Sequence, residues 1–218
     1  MHYNITQIYC AVSAKEQQQG GIFVTSRKMY ELVMAAIFIA LIAMLSFTPI
    51  GFLQISIVSV TVIHIPVIIG GITLHRRFYY GIIFGLAFGI CSFLRALTAS
   101  PFEVVVFTDP RISVIPRIVV GIVVIAVFNG LTKIFKRKEI AYGLTAVAAT
   151  LTNTITVIGS ILIFHSEDIR TFNVAADALQ WFLVTVLSLN VVAEVLSSVI
   201  ISVPVCMAVD RASRQFTD

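Results

Sequence analysis

A few side chains able to recognise a small molecule stand inside otherwise apolar stretches, where a charged or hydrogen-bonding group is costly and defaults to a functional role. Arg95 leads them. Its guanidinium is permanently charged, planar and suited to a bidentate carboxylate. No acidic residue of an apolar segment is placed at its depth, which points it toward an anionic ligand. Asn153 and Thr156 share a helix face and supply donors and acceptors for amide or hydroxyl groups. Asn190 and Glu194 lie one helical turn apart on one face. Arg117, His64 and Trp181 complete the candidates, each with a competing role. Arg117 follows Pro116 near a helix start and fits the outer interface, or a pairing with Asp109 or Glu103, as well as a ligand. His64 fits a buried hydrogen bond, Trp181 an interfacial aromatic anchor, and Glu194 a partner on another helix or subunit.

Catalysis finds little support. Gly89-Ile-Cys-Ser92 lacks the second glycine of a nucleophile elbow. No paired acidic or His-rich metal cluster appears, and Cys10, Cys91 and Cys206 are scattered without metal-ligand spacing. The expectation is a binding protein without metal or cofactor, not an enzyme.

The elements that carry these residues belong in lipid. Hydrophobic residues make up 58% of the 218 residues and charged ones 12%, more apolar surface than a soluble domain of this size can bury. Six segments are long enough to span: Tyr30–Phe47, Ser56–Leu74, Tyr80–Ala99, Ile112–Phe135, Ile140–Phe164 and Ala178–Asp210. Their apolar runs are continuous, which argues for helices over a barrel. The expected fold is an all-α membrane protein, a bundle of six transmembrane helices. At 1.5 Å per residue, Arg95 lies ~21 Å from the cytoplasmic end of its helix, Asn153 ~20 Å up its own, and His64 ~12 Å below the outer end. These positions share the outer half.

Charge sets the orientation. Arg27, Lys28, Arg76, Arg77, Lys133, Lys136, Arg137, Lys138, Arg211 and Arg214 fall on one side if the chain alternates. Arg111 and Arg170 face Glu103, Asp109, Glu167, Asp168 and Asp177 on the other. This positive-inside pattern puts both termini in the cytoplasm. The net charge of +4 therefore reports topology, not a nucleic-acid surface. Residues 1–28 read as a polar, disordered cytoplasmic tail, 29–212 as the transmembrane substrate-binding domain, and 213–218 as a short C-terminal tail.

Small residues mark packing faces. Gly81, Gly85 and Gly89 repeat every fourth residue, continued by Ser92 and Ala96, so another helix backbone can approach closely. Ala36, Ala40 and Ala43 form a second small face, suited to internal packing or to a separate subunit. The segment Thr48–Gln54 is too apolar for a solvated loop; Pro49 and Gly51 bend it, and with Phe52 and Gln54 it reads as a lid over an outward-facing cavity.

In order and spacing, Ala36–Ala40, Pro49–Gln54, His64-Ile-Pro-Val-Ile-Ile-Gly-Gly71, Gly81–Gly89 with Ser92, and Ser113-Val-Ile-Pro-Arg-Ile-Val-Val-Gly121 form a familiar set. Over about residues 30–212 the chain resembles the substrate-binding S components of energy-coupling factor (ECF) vitamin transporters. The Ile-Pro-Val-Ile and Pro-Arg-Ile segments are most similar to the pantothenate branch. The resemblance implies a high-affinity vitamin-binding subunit in the bacterial plasma membrane. It also implies docking through the first helix on a transmembrane coupling subunit, which joins two cytoplasmic ATPases. The chain has no Gly-x-x-x-x-Gly-Lys-Ser/Thr loop, so ATP is expected on those partners. Pantothenate is the expected substrate. Folate or another vitamin is the alternative within the family, and a small channel or secondary transporter the alternative outside it.

Overall fold

A computed structural model describes residues 28–55, 58–98, 104, 107–164 and 176–215, with backbone alone for 50, 52–55, 58–60, 162, 176–188, 214 and 215. The expected tail lies outside the described residues. The chain divides into two compact units, Met1–Ile37 and Phe38–Asp218. In the first, the described residues are helical, and Leu32, Val33 and Ile37 are exposed.

The described elements are mainly helical. Helix α1 covers Lys28–Phe47. A 3-10 turn at Pro49–Gly51 leads into an antiparallel hairpin, β1 (Phe52–Ile55) and β2 (Val58–Thr61). Then follow α2 (His64–Thr73), α3 (Tyr79–Ala96), a single turn at Pro110–Ser113, α4 (Ile115–Ile134), α5 (Lys138–Phe164) and α6 (Ala176–Gln215). Among the described residues, five helices are long and apolar enough to cross a membrane.

The second apolar segment departs from the expected spanning helix. Its first part is strand, and its helix has only 10 residues, ~15 Å of rise against a hydrocarbon core of ~30 Å. The cause is visible in Ile57-Val58-Ser59-Val60-Thr61-Val62, where β-branched residues alternate with hydroxyl residues at the period of a strand. Averaged hydropathy does not register that period. The helix that follows is buried along His64–Ile72, so protein surrounds it and it has no need to span. Pro66 falls in its first turn, where a missing N–H costs little.

Helix α3 packs backbone to backbone against α4. A Cβ added at Gly121 would fall on the Gly81 carbonyl, and one at Gly81 on the Gly121 carbonyl. At Gly85 it would lie 2.5 Å from the Arg117 carbonyl oxygen, and at Gly89 2.9 Å from Val114 Cα. Only hydrogen at these positions lets the two backbones touch. Around this seam Phe84 packs edge-on to Phe38 at 6.1 Å, and Phe128 stacks on Tyr142 of α5 at 5.6 Å. Helix α5 is rich in threonine, and Thr145, Thr150, Thr152 and Thr156 donate to carbonyls four residues back. Each hydroxyl proton is thereby used within the helix, and Thr150 Oγ1 also contacts α2 and α6. At the far end, Lys138 at the start of α5 pairs with Asp210 of α6 at 3.0 Å.

The seam makes opposite predictions for one substitution at two sites of α4. Gly121→Ala drives a methyl group into a backbone carbonyl, and overpacking of that kind costs about 1–3 kcal/mol. Gly130 has nothing within 4 Å of an added Cβ, and alanine is the better helix former. Thermal unfolding in detergent is expected to show a lower midpoint for Gly121→Ala, and an unchanged or higher one for Gly130→Ala.

Candidate functional site

A cavity of about 310 Å³ opens among the helices of the larger unit, within the range of small-molecule sites, ~300–1,000 Å³. Helix α3 contributes Phe88, Ser92, Arg95 and Ala96; α4 contributes Arg117; α5 contributes Asn153, Thr154, Val157 and Ile158. Helix α6 adds Asn190, Val191 and Glu194, and Ser46, Thr61, Ile63 and Phe107 complete the wall. Residues separated by more than a hundred positions in sequence thus meet at one surface.

Arg117 is held most firmly. It is only 7% exposed. Its Nη1 donates to the Ile112 carbonyl at 2.6 Å, and its guanidinium lies 5.6 Å from the Phe88 ring centre and 5.5 Å from that of Phe107. A carbonyl and two aromatic faces fix the plane of the cation. Its Nε is buried without a hydrogen-bond partner among the described residues. Asp109, one of the acids considered for it, accepts instead from the Arg111 backbone N–H at 2.8 Å and caps the turn before α4. Glu103, the other, lies outside the described residues. Gly85 seats the Arg117 backbone from the opposite side. Arg95, half-buried near the end of α3, lines the same cavity. Two guanidiniums therefore line one partly open cavity.

The remaining candidates divide. Asn153 and Asn190 line the cavity, and Asn153 Oδ1 is buried without a hydrogen-bond partner among the described residues. Thr156 is not in the wall; its hydroxyl donates to the Thr152 carbonyl at 2.6 Å. The face that α5 turns inward is Asn153, Thr154, Val157 and Ile158, and a step of three residues carries Thr156 off its edge. His64 is completely buried outside the wall. Its Nε2 lies 3.1 Å from Thr150 Oγ1, which lies 2.9 Å from Ser198 Oγ, so one chain of contacts ties α2 to α5 and α6. Trp181 belongs to α6, and its side chain lies outside the described residues.

Pro49 and Gly51 form the 3-10 turn, and Phe52 and Gln54 fall in β1. The expected lid segment is therefore one strand of a hairpin whose other strand reaches the cavity at Thr61. The Thr61 backbone N–H donates to Glu194 Oε1 at 3.1 Å, and the Val62 N–H to the Gly51 carbonyl at 3.0 Å. On α1, Ala40 is exposed and Ala43 half-buried; Ala36, in the smaller unit, is exposed.

Sequence reasoning left several wall residues out. Phe88 and Phe107 are ordinary core aromatics by type, and only the position of Arg117 gives them a role. Glu194 did carry a signal, since it stands one turn from Asn190.

Comparison with known proteins converges on one family. Residues 30–206 match the family described as ECF transporter, substrate-specific component. The chain is 31% identical over 169 residues to the pantothenic acid transporter PanT of Lactococcus lactis subsp. cremoris, strain MG1363. That alignment covers 71% of this chain and 80% of the relative. The role is transport, and the apolar helices make the chain a multi-pass protein of the bacterial plasma membrane. A cavity walled by helices, on a chain whose profile matches over nearly its whole membrane region, places this protein in the family of substrate-specific components of ECF transporters.

Proposed function

We propose that this chain is the pantothenate-binding subunit of an ECF importer, with the substrate carboxylate held by Arg95 and Arg117. The observation that carries this reading is the pair of guanidiniums lining one cavity. Among the described lining residues they stand with one carboxylate, that of Glu194, a formal excess of one positive charge, which suits a monoanion. Folate, with two carboxylates and a fused ring, suits both the charge and the 310 Å³ volume less well. Asn153 and Asn190 supply amide groups for the ligand's remaining polar atoms. Orientation follows from the flanking charges: both termini and the basic connection from α4 to α5 are cytoplasmic, and residues 167–177 are outside. ATP is hydrolysed by partner ATPases. The small face of Ala36, Ala40 and Ala43 meets the coupling subunit, whose helix can come close only where side chains are small.

Calorimetry on the purified protein tests the substrate reading. Arg95→Ala leaves the ligand carboxylate poorly paired in a dry site, a loss of roughly 2–5 kcal/mol, or at least about thirtyfold in affinity. Lysine restores only part of it, because it lacks the fork geometry. Wild type is expected to prefer pantothenate over pantothenol, which has no carboxylate, and Arg95→Ala to lose that preference. Equal binding of both ligands by the wild type would remove the anion site.

Topology and coupling have their own tests. In intact cells an impermeant thiol reagent is expected to label Asp168→Cys and to spare Lys136→Cys; the reverse pattern inverts the assignment. Ala40→Trp is expected to abolish uptake while pantothenate binding by the isolated protein stays within about twofold of wild type. Loss of binding as well would make this an internal packing face.

A further inference from the structure

The cavity offers acceptors as well as donors. Arg95 and Arg117, from α3 and α4, are donors only. Glu194, from α6, is an acceptor, and on α5 the Asn153 Oδ1 is a buried acceptor without a partner among the described residues. A ligand that satisfied the guanidiniums and was otherwise apolar would cover both acceptors with hydrocarbon. Leaving buried polar groups unmet costs more than the hydrogen bonds themselves contribute. The wall therefore selects against a simple fatty or branched-chain acid.

We propose that Glu194 and Asn153 form a second subsite, which accepts hydrogen bonds from hydroxyl groups of a ligand whose carboxylate lies at Arg95 and Arg117. This rests on the anionic-substrate reading and narrows it to hydroxy acids long enough to reach from α3 and α4 to α5 and α6. Glu194 suits the task for a second reason. It already accepts from the Thr61 backbone N–H, at the end of the hairpin that borders the cavity. A carboxylate has about four lone-pair sites, so one group can hold the hairpin and still take a ligand hydroxyl. Helix α6 thus presents its acceptor in an orientation already set before the ligand arrives, which lowers the entropic cost of binding.

The test is calorimetric binding of pantothenate, its dideoxy analogue and pantothenol to the full chain in detergent, for wild type and Glu194→Gln. The glutamine oxygen can still accept from Thr61, but the charge is gone and one acceptor has become a donor. Wild type is expected to bind the dideoxy analogue roughly tenfold or more weakly than pantothenate. In Glu194→Gln that difference is expected to shrink to about threefold or less, while the preference for pantothenate over pantothenol, read by the arginines, persists. If Glu194→Gln does not fold, Glu194→Asp, which withdraws the carboxylate by one methylene, is expected to narrow the same difference. Equal wild-type affinity for pantothenate and the dideoxy analogue would overturn the proposal. So would a folded variant that discriminates between them as well as wild type does. Failure of the wild type to bind pantothenate at all would remove the substrate reading and this subsite together; the two preceding outcomes remove the subsite alone.

Discussion

The contact on which the site depends is between two backbones. Gly81 and Gly121 lie against each other's carbonyls, and Gly85 lies against that of Arg117. Because no side chain separates α3 from α4 at these glycines, Arg117 of α4 and Arg95 of α3 line one cavity. Two like charges in one partly enclosed space repel each other, and the Glu194 carboxylate in the same wall offsets part of that repulsion. Lipid gives helices no hydrophobic reason to associate, so the energy that holds these cations together comes from the packing of the seam. The same closeness brings Phe88 of α3 under the Arg117 guanidinium. A single methyl group on the seam would spread the helices and loosen the site along with the fold.

A second constraint shapes the end of the molecule that carries the hairpin. Where water is scarce, every backbone polar group needs a partner in the protein. The chain there is not helical, so its partners come from elsewhere. Most come from the strand pairing of Phe52–Ile55 with Val58–Thr61. The Val62 N–H turns to Gly51, and the Thr61 N–H to a side chain on α6. A buried carboxylate is expensive in such surroundings. Here the cost is offset where the backbone would otherwise carry a cost of its own. Glu194 thus accepts a hydrogen bond from the hairpin's last residue while lining the cavity.

What could be read from the sequence follows from which signals are local. The glycine stripe on α3 is a spacing of four, visible without a structure, and its partner proved to be α4. Arg95, Asn153 and Asn190 announced themselves as polar groups in apolar runs, and all three line the cavity. His64 gave the same signal, yet it lies outside the wall: its Nε2 contacts Thr150 inside the bundle, and its Nδ1 is buried without a partner among the described residues. Polarity in an apolar run marks cost, and a structural network can meet part of that cost where no ligand does. Thr156 shows the limit of angular precision, since sharing a helix with Asn153 was not enough to share its wall. The hairpin was hidden because window hydropathy discards the strand-like alternation near Val58 and Val60. Phe107 and Thr61 could not be found in advance, because their place in the wall is set by tertiary contacts.

Exposure alone says little about where a membrane protein meets its partners. Leu41, Met44 and Phe47 on α1 are exposed, but in lipid an exposed leucine is satisfied, and the same is true of Ile82 or Leu86 on α3. What differs along α1 is side-chain size. Ala40 is exposed where a large residue would serve the lipid contact better. A shallow place on a lipid-facing helix has no value to the monomer, since acyl chains fill it with little gain. It acquires value only when another helix occupies it. On α3 the small face is closed by α4. On α1 Ala40 is exposed among the described residues, and that is the observation behind the coupling face proposed above.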